Sequence, residues 1–140
     1  MRGGINMAIN YMAVFLAAVA AWIFGAVWYG ALGKQWMAAL GKTPEECAAA
    51  GKQMPVVPMI WSFIAELLMA MLTAGLIGHF GAVSIKTGMI AGGLCWLAFV
   101  ATTLSVNNAY PGRKLMLTII DGGHWLGVLL IIGAMIGAFG

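Results

Sequence analysis

The fold is decided by a continuous apolar run at residues 115–139, which reads LMLTIIDGGHWLGVLLIIGAMIGAF. This run exceeds the ~20 residues that an α-helix needs to cross the hydrocarbon of a bilayer. Because backbone polar groups in lipid must hydrogen-bond within their own segment, the run is predicted to be a transmembrane helix. It also contains two ionisable residues, Asp121 and His124, which makes its polar face the first candidate for a functional site.

Three further apolar runs have a similar length, at residues 9–32, 59–80 and 87–104. The chain of 140 residues is 63% hydrophobic and 8% charged, whereas soluble domains average about 25% charged residues. A soluble fold of this size could not bury so much apolar surface. The sequence therefore predicts an all-α protein, a single membrane domain over residues 1–140 whose four transmembrane helices form a compact bundle in the lipid bilayer.

The long connection at residues 33–58 is predicted to carry short helices that lie in the membrane interface. Residues 34–40 place their large apolar side chains on one side, which is typical of an interfacial helix. A second short helix is predicted to begin after Thr43, because Pro44 and Glu46 complete a capping box. Aromatic residues at this end are expected to anchor the bundle at the interface, namely Trp28, Tyr29 and Trp36.

The basic residues predict an orientation. The first and third loops contain five of them, Lys34, Lys42, Lys52, Arg113 and Lys114, and the opposite side contains Arg2 and Lys86. Basic residues in short loops favour the cytoplasmic side of a membrane. Both termini are therefore expected outside, and the long first loop is expected in the cytoplasm.

Polar residues within the spans are predicted to form one cluster in one leaflet. Glu66 lies about 10 Å into the second span, and Asp121 and His124 lie about 9 and 13 Å into the fourth, at 1.5 Å per residue. Both spans start from the same side, so the three residues are expected at one depth, with Ser62 and Thr118 beside them. Glu66 could pair with His124, or burial could keep a carboxyl group neutral. A structural clamp, a proton- or cation-handling site and a hydrated vestibule all stay open.

Glycines at helix-contact spacing predict close packing between helices. Gly88 and Gly92 lie on one face of the third span, and Gly133 and Gly137 lie on one face of the fourth. Small residues let helix backbones approach closely in a membrane. Since Gly133 lies about 180° around the helix from His124 at 100° per residue, its face is expected to pack against another chain. Lipid contact or a tilted crossing within the chain is the alternative.

Other site chemistry is not indicated by the sequence. Cys47 and Cys95 do not make a disulfide framework, and no cysteine–histidine cluster has metal-ligand spacing. Neither a nucleophile–base pair nor a glycine-rich phosphate loop is evident. A formal charge of +3 without a basic stripe does not suggest nucleic-acid binding. We therefore expect no enzyme activity, no metal, no cofactor and no nucleic acid.

Two passages resemble a family of small bacterial four-helix membrane proteins, the domain of unknown function 1761. The first is AAWIFGAVWYG at residues 20–30, followed by GKQWM at 33–37. The second is YPGRKL at 110–115, followed by IIDGGH at 119–124 and GAMIG at 133–137. The resemblance covers most of the chain in order. It implies a four-helix architecture and a bacterial inner-membrane location, and it implies no activity.

Two functions remain in view at this point. One is an oligomeric transporter or channel-like protein for protons or small cations, in which Glu66 or Asp121 binds the cation. The other is a structural or accessory subunit of a larger membrane complex, in which the polar cluster only joins helices. The partner is accordingly expected to be a second copy of the chain or another membrane protein.

Overall fold

The computed structural model describes residues 8–140, and this part of the chain is helical without strands. Helix α1 spans Tyr11–Ala39, α2 spans Pro44–Ala50 and α3 spans Val56–Ile77. The third span consists of α4 (Ile85–Cys95), a π-helical segment (Trp96–Ala101) and α5 (Thr102–Ala109). Helix α6 spans Leu115–Phe139. Four of these runs are long and apolar enough to cross a membrane, so the chain is a multi-pass membrane protein, as predicted.

Helix α1 is longer than predicted. The sequence placed the end of the first span at residue 32 and a separate interfacial helix at residues 34–40, whereas α1 is continuous to Ala39. Gly33 lies inside the helix without a positive φ, and Gly41, with φ of 80°, follows its end. The continuous helix carries Trp36 on the same helical segment as Tyr29, which matters for the site described below.

The first loop therefore contains one short helix, α2, rather than two. Its capping box is confirmed: Thr43 Oγ1 accepts a hydrogen bond from the Glu46 backbone N–H, and Glu46 Oε2 accepts one from the Thr43 N–H. Gly51 caps its other end. Helix α2 has no buried residue, so it contributes nothing to the bundle core.

Helix α6 runs through the centre of the bundle and contacts α1, α3 and the third span. Asn10 Nδ2 donates to the Phe139 carbonyl at one end, and Lys114 Nζ donates to the Ala38 carbonyl at the other. Helices α1 and α6 are therefore antiparallel over their whole length. The buried face of α1 is built from alanines, which bring it close to the larger residues of α6, and the core contains Ala17, Ala18, Ala21, Val128, Ile132 and Ile136.

The glycine faces of the third and fourth spans pack against each other within the chain. A Cβ on Gly88 would overlap the carbonyl group of Gly133, and a Cβ on Gly92 would overlap that of Leu129. Gly137 meets the Ser84 carbonyl in the same way. The expectation that Gly133 and Gly137 face another chain was therefore wrong. The alternative, a crossing inside the chain, is what the structure contains, because α4 supplies a matching glycine face.

The same connections determine which loops share an end of the bundle. The Lys114–Ala38 bond brings the first and third loops together, as the orientation argument required. Lys86 lies at the opposite end, in the first turn of α4. Arg2, the other basic residue assigned to that end, lies outside the described residues.

Candidate functional site

Asp121 of α6 is bound by two aromatic donors from α1. The Tyr29 hydroxyl donates to Asp121 Oδ1 at 2.7 Å, and Trp36 Nε1 donates to the same oxygen at 2.9 Å. Tyr29 and Trp36 are two helical turns apart and share a face of α1, with their rings edge to face at 5.7 Å. We call these three residues the Asp121 site. Its carboxyl group is held by two neutral donors of α1.

Two tryptophans bind the α6 backbone on either side of Asp121. Trp28 Nε1 donates to the Ile120 carbonyl at 3.1 Å, and Trp96 Nε1 of the π-helical segment donates to the Gly122 carbonyl at 2.8 Å. Glycine at position 123 makes room for the first of them, since a Cβ there would lie 2.9 Å from the Trp28 ring. Residues 120–122 therefore tie α6 both to α1 and to the third span.

His124 is buried among aromatic rings of α1 and α6. Its ring is nearly parallel to that of Phe24, with centroids 6.2 Å apart, and lies 4.9 Å from Tyr29. Gly25 leaves space for it, because a Cβ there would be 2.8 Å from His124 Nε2. In the described part of the chain, His124 Nδ1 is buried without a hydrogen-bond partner. The His124 ring is therefore enclosed by aromatic side chains, and at least one of its two ring nitrogens makes no hydrogen bond in the described part of the chain.

Glu66 is the most deeply buried ionisable side chain among residues 8–140, with 1% of its surface exposed. Its Oε2 is buried and has no hydrogen-bond partner in that region. Within the described residues, Glu66 forms no ion pair or hydrogen bond with His124 or Asp121. The expected pairing across α3 and α6 is therefore absent, because Asp121 faces donors of α1 and His124 lies among aromatic rings.

Ser62 and Thr118 also have partners of their own. Ser62 Oγ accepts a hydrogen bond from Trp22 Nε1 of α1 at 3.1 Å and donates to the Met59 carbonyl. Thr118 Oγ1 accepts one from Asn108 Nδ2 of α5 at 3.0 Å. Asp121, Ser62 and Thr118 thus take part in three separate helix contacts, and in the described part of the chain no hydrogen bond joins any two of the five residues that the sequence grouped as one cluster.

The hydrogen bonds of the tryptophan and tyrosine side chains are the part of the site that the sequence did not predict. Trp28, Tyr29 and Trp36 were expected as interface anchors, and the structure shows in addition that their polar atoms donate to α6. A signal was present, since Tyr29 and Trp36 are seven residues apart and share a face if the helix continues through Gly33. The interruption assumed at Gly33 concealed it. Trp22 and Trp96 were missed because their partners are a serine hydroxyl and backbone carbonyls on other helices.

The motifs that meet at Asp121 are those on which the family resemblance rests. The family model of DUF1761, described as a protein of unknown function, matches residues 12–137. The chain belongs to the DUF1761 family. In this DUF1761 protein the tryptophan–tyrosine motif of α1 lies directly against the Ile120–His124 motif of α6. The two motifs are thus two halves of one helix contact.

No curated protein and no solved structure matches this DUF1761 protein. Within residues 8–140, no group of three or more histidine, cysteine, aspartate or glutamate side chains is placed to hold a metal ion. The carboxyl and imidazole groups within the four described spans are those of Glu66, Asp121 and His124. Of these, Asp121 Oδ1 already accepts two hydrogen bonds, whereas Glu66 Oε2 and His124 Nδ1 accept or donate none.

Proposed function

We propose that this DUF1761 protein is a small transporter in which Glu66 binds and releases a proton. The observation that carries the proposal is the buried Glu66 Oε2, which has no partner in the described part of the chain. A purely structural carboxyl group is expected to have its hydrogen bonds satisfied, as Asp121 Oδ1 does. An ionisable residue inside a membrane span that lacks such partners is a functional candidate by default.

The chemistry of this step is a reversible proton transfer. In the neutral carboxylic acid, Glu66 carries no charge in the low-dielectric interior. In the carboxylate, the proton has left and the charge must be met by water or a cation. Because an unpaired charge is costly at this depth, the two forms favour different surroundings. That difference is what would couple proton binding to a change in the helices around α3.

A flux measurement with matched variants tests the proposal. The purified protein is reconstituted into liposomes, and a potassium diffusion potential is applied across their membrane. We expect this potential to drive proton uptake through the protein, which a pH dye inside the liposomes reports. Glu66→Gln is expected to reduce the rate to that of empty liposomes, and Asp121→Asn is expected to retain most of it. Glu45→Gln, at an exposed position of α2, is the control for loss of a carboxyl group. Equal rates in wild type and folded Glu66→Gln would overturn the proposal.

An accessory role is the second candidate, and the weak burial of the third span favours it. Within the apolar stretch of 18 residues that qualifies each helix as a membrane span, 11% is buried inside the chain for Ile85–Ala109, compared with 39% for α6. A partner membrane protein could cover the remaining apolar side. This role predicts one stoichiometric partner after purification in a mild detergent, and a protein recovered alone would argue against it. Gly133 and Gly137 give no support to a second copy, because they pack within the chain.

The membrane and the orientation are also proposals. We infer a location in the bacterial inner membrane, with the first loop in the cytoplasm. Lys42, Lys52, Arg113 and Lys114 lie in the two loops that share one end, and Lys34 lies near the end of α1 on that same side, which supports this orientation.

A further inference from the structure

A serine hydroxyl lies one helical turn before Glu66, on the same face of α3. Residues four apart on a helix have Cβ atoms about 5–6 Å from each other, and a helical side chain leans toward the N-terminus over the preceding turn. The Glu66 side chain therefore leans over the turn that carries Ser62. Thr73, the next hydroxyl along this face, lies two turns further on, in the direction from which Glu66 leans away.

The Ser62 hydroxyl donates to a carbonyl that has a second side-chain donor. Ser62 Oγ donates to the Met59 carbonyl at 2.8 Å, and Trp22 Nε1 of α1 donates to the same carbonyl at 3.1 Å. Trp22 Nε1 also donates to Ser62 Oγ at 3.1 Å, so the indole N–H is shared between two acceptors. Rotation of the hydroxyl away from Met59 would leave the carbonyl bound to Trp22. Because no buried acceptor would lose its last partner, this rotation is expected to cost little free energy.

The helix turn opposite Glu66 offers no donor that could replace Ser62. Helices α1 and α6 are antiparallel, and α3 starts from the same end of the bundle as α6, so α1 and α3 are antiparallel too. Since Trp22 contacts Ser62, the next turn of α3 lies opposite the preceding turn of α1, which carries Ala17 and Ala18. Both alanines are fully buried. The core around them is apolar as well, with Ala70, Ala91, Val128 and Ile132.

The ionisable side chains of the neighbouring helices are not bonded to the unpartnered oxygen of Glu66. They are Tyr11, Tyr29 and Lys34 on α1, Lys86 and Cys95 on the third span, and Asp121 and His124 on α6. Within residues 8–140, Glu66 Oε2 forms no hydrogen bond with any of them. A donor for the ionised carboxyl group has therefore to come from α3 itself or from water.

We propose that the Ser62 hydroxyl turns from the Met59 carbonyl to the Glu66 carboxylate when Glu66 releases its proton, and turns back when the proton returns. A hydrogen bond to an ionised acceptor is stronger than one to a neutral carbonyl, so the charge on Glu66 drives the rotation. Trp22 is a positioning residue that acts through Ser62, because it holds the carbonyl that the hydroxyl leaves. The inference deepens the proposed function, on which it rests, because it needs a Glu66 that loses and regains a proton.

Infrared spectroscopy of the protein in liposomes tests the inference without a transport assay. The C=O stretching band of a protonated carboxyl group disappears when the group ionises, and comparison with Glu66→Gln identifies the band of Glu66. In Ser62→Ala the carboxylate lacks its donor, so the pH at which half of this band is lost should rise by about one unit or more, a tenfold effect. Ser62→Thr keeps a hydroxyl and should restore the wild-type midpoint. A wild-type midpoint in folded Ser62→Ala would overturn the inference.

Two further variants separate this role from a general loss of polar groups. Thr73→Ala removes the other hydroxyl of the same face and should leave the midpoint unchanged, and a shift as large as that of Ser62→Ala would contradict the inference. Trp22→Phe removes the indole N–H but keeps a ring against Phe63, to which Trp22 packs edge to face at 6.0 Å. It should raise the midpoint, and it should add nothing in a Ser62→Ala background. A full additional shift there would refute the role of Trp22.

The outcome for Ser62 can be separated from the outcome for proton transport. A midpoint that depends on Ser62, without proton flux that depends on Glu66, would refute transport and leave the hydrogen bond standing. Flux that depends on Glu66, with equal midpoints in wild type and Ser62→Ala, would refute the role of Ser62 and leave the proposed function. A Glu66 band that persists at every pH at which the protein is folded would refute both.

Discussion

The two carboxyl groups in the spans, those of Asp121 and Glu66, differ in their hydrogen bonding. Asp121 Oδ1 accepts hydrogen bonds from Tyr29 and Trp36, at distances typical of hydrogen bonds in proteins. Glu66 Oε2 is buried without a partner in the described residues. Composition and position in the sequence make the two residues look equivalent. The difference arises from the helices they face, so one is assigned to structure and the other to proposed function.

Loss of the Asp121 carboxylate is expected to weaken the contact between α1 and α6. Asp121→Ala leaves the Tyr29 hydroxyl and the Trp36 indole N–H without an acceptor, and a buried donor left unsatisfied costs ~1–3 kcal/mol. Asp121→Asn keeps an acceptor oxygen and should cost less. Unfolding by sodium dodecyl sulfate in mixed micelles measures both. A double-mutant cycle with Tyr29→Phe should show coupling, and strictly additive effects would contradict the assignment.

The space for the His124 ring depends on Gly25. Gly25→Ala would place a Cβ 2.8 Å from His124 Nε2, and overpacking of this kind costs about 1–3 kcal/mol. The measurement is the free energy of unfolding in mixed micelles. Gly30→Ala is the control on the same helix, because a Cβ there meets nothing within 4 Å. Adding His124→Ala should relieve the clash, and a double variant as unstable as the sum of the single ones would refute this explanation.

At the scale of elements, the sequence predicts the helices better than their contacts. The fourth span was predicted at 115–139 and is observed there, because Pro111 and Gly112 precede a long uninterrupted apolar run. The end of α1 was missed because Gly33 and Lys34 resemble a helix end. The contacts that Tyr29 and Trp36 make with Asp121 favour a continuous helix there. Such tertiary contacts are not visible in a local pattern.

The error about the glycine face has a similar origin. The helical period of α6 predicts that Gly133 and His124 lie on different sides of that helix. The sequence of α6 alone does not show that Gly88 and Gly92 of α4 pack against the side that carries Gly133. The tertiary arrangement of the spans decides which small-residue faces become partners.

Close contact between α4 and α6 is expected to tolerate no side chain at its centre. Gly88→Ala and Gly133→Ala each bring a Cβ against a backbone carbonyl group of the other helix, which no rotamer change can relieve. We expect each to destabilise the protein by more than the ~1–3 kcal/mol typical of overpacking. Gly75→Ala is the control, since a Cβ there meets nothing within 4 Å, and alanine favours a helix by roughly 0.5–1 kcal/mol.

Thermal unfolding in detergent, followed by circular dichroism, measures these variants. The two substitutions at the contact should lower the unfolding temperature, whereas Gly75→Ala should leave it unchanged or raise it. If all three variants behaved alike, the α4–α6 contact would not exist in the form described.

At the scale of the whole molecule, the bundle has two differently built halves. The half next to the first and third loops is joined by side-chain hydrogen bonds around residues 118–122 of α6. The other half is joined largely by close backbone approach, through the glycines of α4 and α6 and the alanines of α1. The polar half is the one that carries the basic loops, so the two asymmetries of the molecule coincide.

The orientation of the bundle in the membrane can be tested by labelling one exposed cysteine at each end. In a background with Cys47→Ser and Cys95→Ser, Gln53→Cys reports on the first loop and Val83→Cys on the opposite end, and both positions are exposed. An impermeant maleimide should label Val83→Cys in intact cells and Gln53→Cys only after permeabilisation. Labelling of Gln53→Cys in intact cells would reverse the proposed orientation.

The physical reason for the orientation can be tested separately from the orientation itself. Replacing Lys34, Lys42 and Lys52 by Gln leaves two basic residues at each end, so the charge difference that orients the helices disappears. We expect the Gln53→Cys reporter to become partly labelled in intact cells, as a second orientation is populated. If labelling stays unchanged, the orientation depends on something other than these lysines. Since the helix contacts of the polar half do not involve the replaced side chains, either result would concern membrane insertion and not the stability of the bundle.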